Sequence, residues 1–341
     1  MSMSYDGLWS IGELAEQAGV TVKTVRFYSD RGLLPETSRS AGGHRRYGPE
    51  ALDRLRLIRA LRALDLPLPQ VRRILDQEDD QDQGDNDGGS ALEGAVAERL
   101  RALGSQLAAL RWREAALRLV QESPPGLRAE RLRLIGALAV PPSTAAMARF
   151  WRAWLPARMP APAVAAFLDV AVPSPPDDPT PEQTLAFARL HALTSGPCTG
   201  TGPTQPAAHR AAGAEGSAVL YAGLAEAYEL AGVQLRRGRP PHPGEALDGF
   251  VAAYTSAYGT RDTPAFRRLL AGQLAADPRI DRYWELTAVV LTPPGRQPAP
   301  TPGSAHDWLL AALAAQSGGT APGPPPSAPS GGRPPAPRRA R

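Results

Sequence analysis

Apolar positions near the N-terminus recur at helical spacing in two short segments separated by a glycine. The stretch Ser10-Ile11-Gly12-Glu13 has the order of a capping box, which predicts a helix running from there to Ala18. Gly19 ends this helix and Thr21 is a good N-cap for a second one, which the apolar spacing carries to about Arg31. The pattern therefore predicts a helix, a tight turn and a second helix.

The following segment predicts a β-hairpin and two more helices. Gly42-Gly43 is typical of a hairpin tip, Pro49 occupies a favourable first position for a third helix, and a fourth helix follows Pro67 and ends near Leu75. From residue 76 to residue 87 the chain carries acidic side chains and no basic one. This composition predicts a solvated acidic linker over residues 77–89.

Apolar residues then recur at alternating spacings of four and three over residues 90–122. The spacing predicts a dimerisation helix with a coiled-coil seam about three heptads long, in which Glu114 occupies the one missing slot. The alternative is a helix that packs only on its own domain, and Gly104 is unfavourable inside either helix. The predicted seam consists of Val96, Leu100, Leu103, Leu107, Leu110 and Leu117.

The remainder of the chain predicts an all-α domain over residues 127–317. Prolines separate the Ala-, Leu- and aromatic-rich segments, and no segment alternates at period two. Residues 318–341 are rich in Pro, Gly and Ser, which predicts disorder. The predicted helices are Arg128–Ala139, Ser143–Leu155, Ala163–Val170, Pro181–Thr194, Gly216–Arg236, Gly244–Tyr258, Pro264–Ala275, Pro278–Leu291 and Ala305–Gln316.

Length and composition exclude several classes of protein. A chain of 341 residues predicts two or three domains, and a formal charge of +4 permits a nucleic-acid partner without demanding one. Cys198 is the only cysteine and the histidines are scattered, so we expect neither a disulfide nor a metal site, and no cofactor. The N-terminus lacks signal-peptide features and no long apolar run occurs, which predicts a cytoplasmic protein without membrane contact.

The helix-turn-helix pattern, together with local basic charge, predicts a DNA-binding surface. A tight pair of helices places its second helix in the major groove while the first crosses the backbone. On the second helix the candidates are Thr21, Lys23, Arg26 and Tyr28, whose side chains can reach phosphates or a guanine edge. The hairpin adds a wing along the DNA backbone, with Arg39, His44, Arg45, Arg46 and Tyr47 as its candidates.

The order TVRFYSDRGLL followed by GHRRY resembles the DNA-binding domain of the MerR family of bacterial transcription regulators. The resemblance covers about residues 8–76, and it departs from the family at His44, where a wing tyrosine is usual, and at Pro67 and Pro69, near a usual helix cap. It implies a homodimer joined by an antiparallel coiled coil. It also implies binding to double-stranded promoter DNA at an inverted repeat, distortion of the promoter spacer, and control of RNA polymerase there.

The fold class expected from these observations is mainly α: a winged helix-turn-helix, a long dimerisation helix and an all-α C-terminal domain. The C-terminal domain carries aromatic residues at helical spacing beside acidic ones, which suits a bulky apolar and even cationic organic effector. An enzyme is not expected, since no catalytic motif occurs. An interaction module that makes the regulator ligand-independent or controlled by a protein partner stays an alternative. The candidate effector residues are Trp151, Trp154, Tyr228, Tyr254, Tyr283 and Trp284.

Overall fold

The computed structural model describes residues 7–81, 91–157, 159–196, 205–211, 213–274 and 277–317. The chain divides into two compact units, residues 1–107 and residues 108–341, and each is described by itself. Within the described ranges, no helix is both long and apolar enough to cross a membrane.

The first unit is a small sheet surrounded by helices. Its elements are β1 (Trp9–Ser10), α1 (Ile11–Gln17), α2 (Val22–Asp30), β2 (Ser38–Arg39), β3 (Arg45–Tyr47), α3 (Glu50–Ala63), α4 (Leu68–Gln81) and the beginning of α5, which spans Ala91–Glu122.

Local capping chemistry sets the bounds of the helix-turn-helix, and the predicted capping box is confirmed. The Ser10 backbone N–H donates to the Glu13 carboxylate at 2.7 Å, and the Glu13 N–H donates to Ser10 Oγ at 3.3 Å. Gly19 adopts a φ of +62° in the turn, a backbone conformation that residues with a Cβ rarely adopt. Thr21 then caps α2 by accepting a hydrogen bond from the Thr24 N–H at 3.2 Å.

The wing is a three-stranded antiparallel sheet with the order β1-β3-β2. β2 and β3 form the predicted hairpin, with Ser38 opposite Arg46. β1 was not predicted from the sequence; it pairs with β3 and places Trp9 opposite Tyr47. Because β1 leads directly into α1, the central strand of the wing is hydrogen-bonded to the start of the helix-turn-helix.

Two predicted boundaries in this unit were wrong. Pro49 is the N-cap of α3 rather than its first residue. The fourth helix does not end near Leu75 but continues to Gln81, so residues 77–81 of the predicted linker are helical. Nothing in that stretch breaks a helix before Gly84. The rest of the predicted linker lies outside the described residues.

The second unit contains the end of α5, and its remaining regular elements within the described ranges are helices: α6 (Pro125–Gly136), α7 (Ala145–Trp154), α8 (Ala161–Ala171), α9 (Pro181–Ser195), α10 (Ala207–Ala211), α11 (Gly213–Arg236), α12 (Glu245–Tyr258), α13 (Pro264–Gln273), α14 (Pro278–Leu291) and α15 (Pro302–Ser317).

These helices follow the predicted pattern closely. α14 has the predicted bounds, and the cap at Thr180 forms a capping box with Gln183. α10 was not predicted, and α15 begins three residues before the predicted Ala305. The predicted disordered tail, residues 318–341, lies outside the described residues.

Two hydrophobic clusters form the core of the second unit. One lies between α11, α12 and α15 and includes Leu224, Phe250 and Leu309. The other is rich in aromatic rings from α7, α9 and α14, such as Trp151 and Tyr283, and it also takes in Trp112 from α5. Candidate residues of the C-terminal half therefore belong to, or border, packed aromatic core.

Candidate nucleic-acid interface, dimerisation face and cavity

Helix α2 presents two cations to solvent on its outer face. Lys23 and Arg26 are exposed, and neither makes an ion pair within the described part of the chain. Thr21, predicted as a DNA contact, is exposed too, although its hydroxyl is engaged in capping α2. Free cations on the second helix of a helix-turn-helix can reach phosphate oxygens or guanine edges without first breaking an internal bond.

An exposed aromatic residue on the same helix was not predicted. The guanidinium carbon of Arg31 lies 3.7 Å from the centroid of the Phe27 ring, and Phe27 is 40% exposed. This cation–π contact holds a third positive charge beside the outer face of α2. The i,i+4 spacing of the two residues was the available signal in the sequence.

The predicted wing arginines differ in how firmly they are held. Arg45 donates to Asp30 at 2.6 Å and lies 3.0 Å from the Glu36 carboxylate, while Arg39 pairs with Glu36 at 2.7 Å. The hydrogen bond to Asp30 raises the pKa of the Arg45 guanidinium. Because Asp30 ends α2 and Arg45 begins β3, this pair ties the wing to the second helix.

The remaining wing candidates separate into exposed and buried side chains. His44 is exposed and Arg46 is half-buried. The pKa of the Glu13 carboxyl is lowered, mainly by the hydrogen bond from the Ser10 backbone N–H, and the positive charge of nearby Arg46 contributes to this shift. Tyr47 is fully buried, and its hydroxyl donates to Ser29 Oγ at 3.1 Å. Tyr47 is thus a core residue, and its assignment as a DNA contact is corrected.

Tyr28 is also mainly a core residue. Its side chain is 9% exposed and belongs to the hydrophobic core of the first unit, next to the edge of Phe27. A tyrosine packed in this way positions α2 rather than extending from it. The Tyr28 hydroxyl forms no hydrogen bond with a described residue, and its predicted phosphate contact stays a prediction.

Several arginines that contribute to the local positive charge are engaged with backbone carbonyls. Arg59 donates to the Ala18 carbonyl at 2.6 Å, Arg62 to Leu66 at 2.5 Å, and Arg72 to the carbonyl of Arg31. Ala18 and Arg31 are the C-caps of α1 and α2, whose last carbonyls lack helical partners. These arginines stabilise the ends of the helices, a role that their charge alone does not indicate.

Helix α5 has two apolar faces. Trp112, Ala115 and Leu119 are buried, and the Trp112 indole donates to the Pro176 carbonyl at 3.0 Å. The predicted seam lies on another face: Leu100 is 64% exposed and Leu117 is 72% exposed. Leu103, Leu107 and Leu110 are exposed as well, and Val96 is half-buried. Packing within the described part of the chain therefore does not account for the seam leucines.

A cavity of about 940 Å³ lies within the second unit, between α7, α8, α11, α14 and α15. Of the six candidate effector residues, Trp151, Trp154, Tyr228 and Trp284 line it. Phe167 and Tyr221 complete the aromatic wall and were not among the candidate effector residues. Their rings touch edge to face, with centroids 5.5 Å apart.

The two other candidates, Tyr254 and Tyr283, lie behind this wall. Both are fully buried; the Tyr283 hydroxyl donates to the Ala171 carbonyl at 2.6 Å, and the Tyr254 hydroxyl lies 2.9 Å from His209 Nε2. They are not among the lining residues, so their direct contact with a ligand is not supported. Helical spacing identified the aromatic cluster but not which rings face the cavity.

Two histidines take part in the polar network of the cavity wall. His209 Nδ1 lies 3.1 Å from the Tyr221 hydroxyl, and His306 Nδ1 lies 2.9 Å from the Tyr228 hydroxyl. Burial lowers the pKa of His209 to about 3, with a smaller effect from His306, and burial lowers the pKa of His306 to about 4. Both imidazoles are therefore neutral at physiological pH. Within the described ranges no group of three or more His, Cys, Asp or Glu side chains could hold a metal ion, and Cys198 lies outside them.

The first unit has the architecture of a winged helix-turn-helix DNA-binding domain. Residues 9–78 match the sequence model of the MerR HTH family regulatory protein. The N-terminal domain is therefore a MerR-family helix-turn-helix domain, as the resemblance implied.

Three proteins are similar to this chain over 65 to 68 residues. The nodulation protein NolA of Bradyrhizobium sp. (strain NC92) is 48% identical over 68 residues, which are 20% of this chain and 29% of NolA. The HTH-type transcriptional activator TipA of Streptomyces coelicolor is 48% identical over 68 residues, or 27% of TipA. The mercuric resistance operon regulatory protein of Bacillus cereus is 38% identical over 65 residues, 49% of its length. The chain thus spans less than a third of NolA and TipA.

Proposed function

We propose that this protein is a transcriptional regulator that binds an inverted-repeat promoter site as a homodimer. In this proposal it distorts the promoter spacer, thereby controls RNA polymerase, and responds to an organic effector held in the C-terminal cavity. The observation that carries the proposal is a MerR-family domain whose second helix exposes Lys23 and Arg26 to solvent without internal ion pairs. NolA and TipA match this chain over less than a third of their own length, and the name of TipA, transcriptional activator, supports the same function.

The exposed leucines of α5 support the homodimer. A row of leucines more than two-fifths exposed, at spacings of four and three residues, is costly in water and is the pattern by which two helices interlock. Two copies related by a two-fold axis present two identical reading heads, and such a dimer matches an inverted repeat in DNA.

Distortion of the promoter is the mechanism that this geometry can serve. Bending or untwisting a DNA site costs on the order of 1–6 kcal/mol, which phosphate contacts by two wings and two α2 helices can offset. An effector changes the outcome only if it binds one arrangement of the dimer more tightly than the other.

The dimer is tested by placing charge in the seam. Leu103→Asp combined with Leu107→Asp is expected to yield monomers in sedimentation velocity and to abolish binding to the inverted repeat, because burying four carboxylates in an apolar seam is costly. The control is Gln106→Asp, an exposed position of α5 outside the seam. A double variant that stays dimeric, with a control that does the same, would contradict the proposal.

The effector is tested with the full chain at its own promoter. Thermal shift is expected to find organic compounds that raise the melting temperature, since a ligand of the folded state stabilises it by mass action. The same compounds should change transcription in the presence of a chelator, because the proposal requires no metal. If chelation abolishes the response and zinc or copper restores it, the organic effector is wrong; if no compound binds, a regulator controlled by a protein partner is favoured.

A further inference from the structure

The cavity of the second unit differs from ordinary apolar core in size. At about 940 Å³ it lies at the upper end of the range for sites that enclose small organic molecules. Its wall also holds an indole with unmet hydrogen-bonding capacity: Trp154 is only 8% exposed, and its N–H has no acceptor in the described part of the chain. A buried donor without an acceptor is unfavourable, so this part of the wall is not satisfied by the protein's own groups as an ordinary core is.

The aromatic residues of the wall offer ring surface to a flat or bulky guest. The Trp154 and Phe167 rings are nearly parallel, with centroids 6.4 Å apart, whereas the Trp151 and Trp284 rings are inclined by 40° with centroids 5.6 Å apart. The faces of tryptophan, tyrosine and phenylalanine rings carry negative electrostatic potential. This potential attracts cations and gives no comparable attraction for uncharged hydrocarbons.

The charged residues around the cavity are predominantly acidic. Five carboxylates line it, and Arg236 is the one cation among the described lining residues that is charged at neutral pH. Asp277 pairs with Arg279 at 3.5 Å and caps α14, which leaves four carboxylates without an ion pair in the described ranges. They are Glu226 and Glu229 on α11, Asp281 on α14 and Asp307 on α15.

The last two carboxylates repel each other across the cavity wall. The pKa of Asp307 is raised to about 6, first by desolvation of its carboxyl and then by the charges of Asp281 and Glu285. The pKa of Asp281 is raised as well, by desolvation and by its acidic neighbours. A positive charge placed between them would relieve this repulsion, whereas an anion would increase it.

We propose that the effector cavity is selective for bulky aromatic cations: the ring faces of Trp154 and Trp284 bind the body of the ligand, and Asp281 and Asp307 bind its positive charge. The inference rests on the proposed effector function and narrows its ligand to one chemical class. Neutral aromatic compounds of equal size bind more weakly, and aromatic acids are excluded.

The test uses three probes that share a naphthylmethyl group and end in trimethylammonium, tert-butyl or carboxylate. The first two probes have the same shape, and the three probes differ in charge. Isothermal titration of the full chain is expected to give the cation at least about tenfold tighter binding than the neutral probe, with no binding of the acid. The variant Asp281→Asn with Asp307→Asn should lose that preference while still binding the neutral probe.

The matched control is Asp169→Asn with Asp177→Asn, which removes the same charge from exposed positions that do not line the cavity. The control should keep the preference. Equal binding of the cationic and neutral probes, or a preference that survives in Asp281→Asn/Asp307→Asn, overturns the cation selectivity but leaves an organic effector in place. If none of the three probes binds, the selectivity is wrong, and the proposed effector then depends on the wider thermal-shift screen alone.

Discussion

At the scale of single residues, the arginines of the N-terminal domain serve two purposes. Arg59 and Arg72 donate to carbonyls at the ends of α1 and α2, and Arg45 joins the wing to Asp30. Arg26 and Lys23 have no such internal partners in the described ranges and face water. Counting positive charges in the sequence does not separate these groups, because each internal contact joins residues 15 to 41 positions apart.

Arg26→Ala is predicted to weaken operator binding and to reduce its dependence on salt. Each phosphate contact contributes about 0.9 to the slope of log affinity against log salt concentration, so a dimer that loses two contacts should show a slope shallower by about 1.8. The measurement is fluorescence anisotropy on an inverted-repeat duplex at several salt concentrations.

The control for this prediction removes the same charge elsewhere on the domain. Arg56 is exposed on α3 and pairs with Asp53 at 3.0 Å, so Arg56→Ala should leave the slope nearly unchanged. Equal effects of the two substitutions would mean that α2 is not the DNA-facing helix.

At the scale of elements, close approach of α14 and α15 depends on one glycine. An added Cβ at Gly303 would overlap the indole ring of Trp284, which is buried and lines the cavity. The indole cannot move away freely, since Trp151 and Tyr283 pack against it with centroids 5.6 and 5.5 Å away. The glycine therefore fixes both the spacing of two helices and one wall of the cavity.

Gly303→Ala is predicted to lower the free energy of unfolding of the second unit by about 1–3 kcal/mol, the usual cost of overpacking a filled core. Denaturant unfolding followed by tryptophan fluorescence measures it. The control is Gly272→Ala on α13, where an added Cβ meets no atom within 4 Å and a small gain in stability is expected. A neutral Gly303→Ala variant would show that Trp284 has room to shift.

Helix ends that are set by residues nearby in the sequence were predictable from the sequence. The capping boxes at Ser10 and Thr180 and the proline at position 278 gave the starts of three helices, because each signal lies within one turn of the helix that it begins. β1 was missed because its two residues become a strand only by pairing with β3, some 37 positions later. For the same reason the sequence could not separate buried Tyr47 from its exposed neighbours in the wing.

At the scale of the whole molecule, the cavity wall makes the stability of the second unit depend on pH. His209 and His306 are kept neutral in the folded chain, with pKa values of about 3 and about 4, mainly by burial. In the unfolded chain an ordinary histidine takes up a proton near pH 6.5. Their contribution to stability is therefore complete above pH 6.5 and is lost as the pH falls below it.

Asp307 acts in the opposite direction. Its pKa is raised to about 6 in the folded chain, so the folded state takes up a proton between pH 6 and the ordinary value of 3.8, and this uptake favours folding as the pH falls. The pKa of Asp281 is raised too, so this carboxyl acts in the same direction as Asp307. Asp307 is exposed, which screens its effect, and the two histidines have larger shifts in pKa than Asp307. The net change between pH 6.5 and pH 4.5 should therefore be a loss of stability.

The melting temperature of the second unit is accordingly predicted to fall on acidification from pH 6.5 to pH 4.5. Tryptophan fluorescence reports on this unit, since five of the six tryptophans lie beyond residue 107. His306→Asn, which keeps a polar atom near Nδ1 for the Tyr228 hydroxyl, should make the fall shallower, and Asp307→Asn should make it steeper. His44→Asn changes an exposed imidazole of the other unit and should leave the fall unaltered. A melting temperature that rises toward pH 4.5 would show that acidic repulsion around the cavity, rather than the two neutral histidines, governs the stability of this unit.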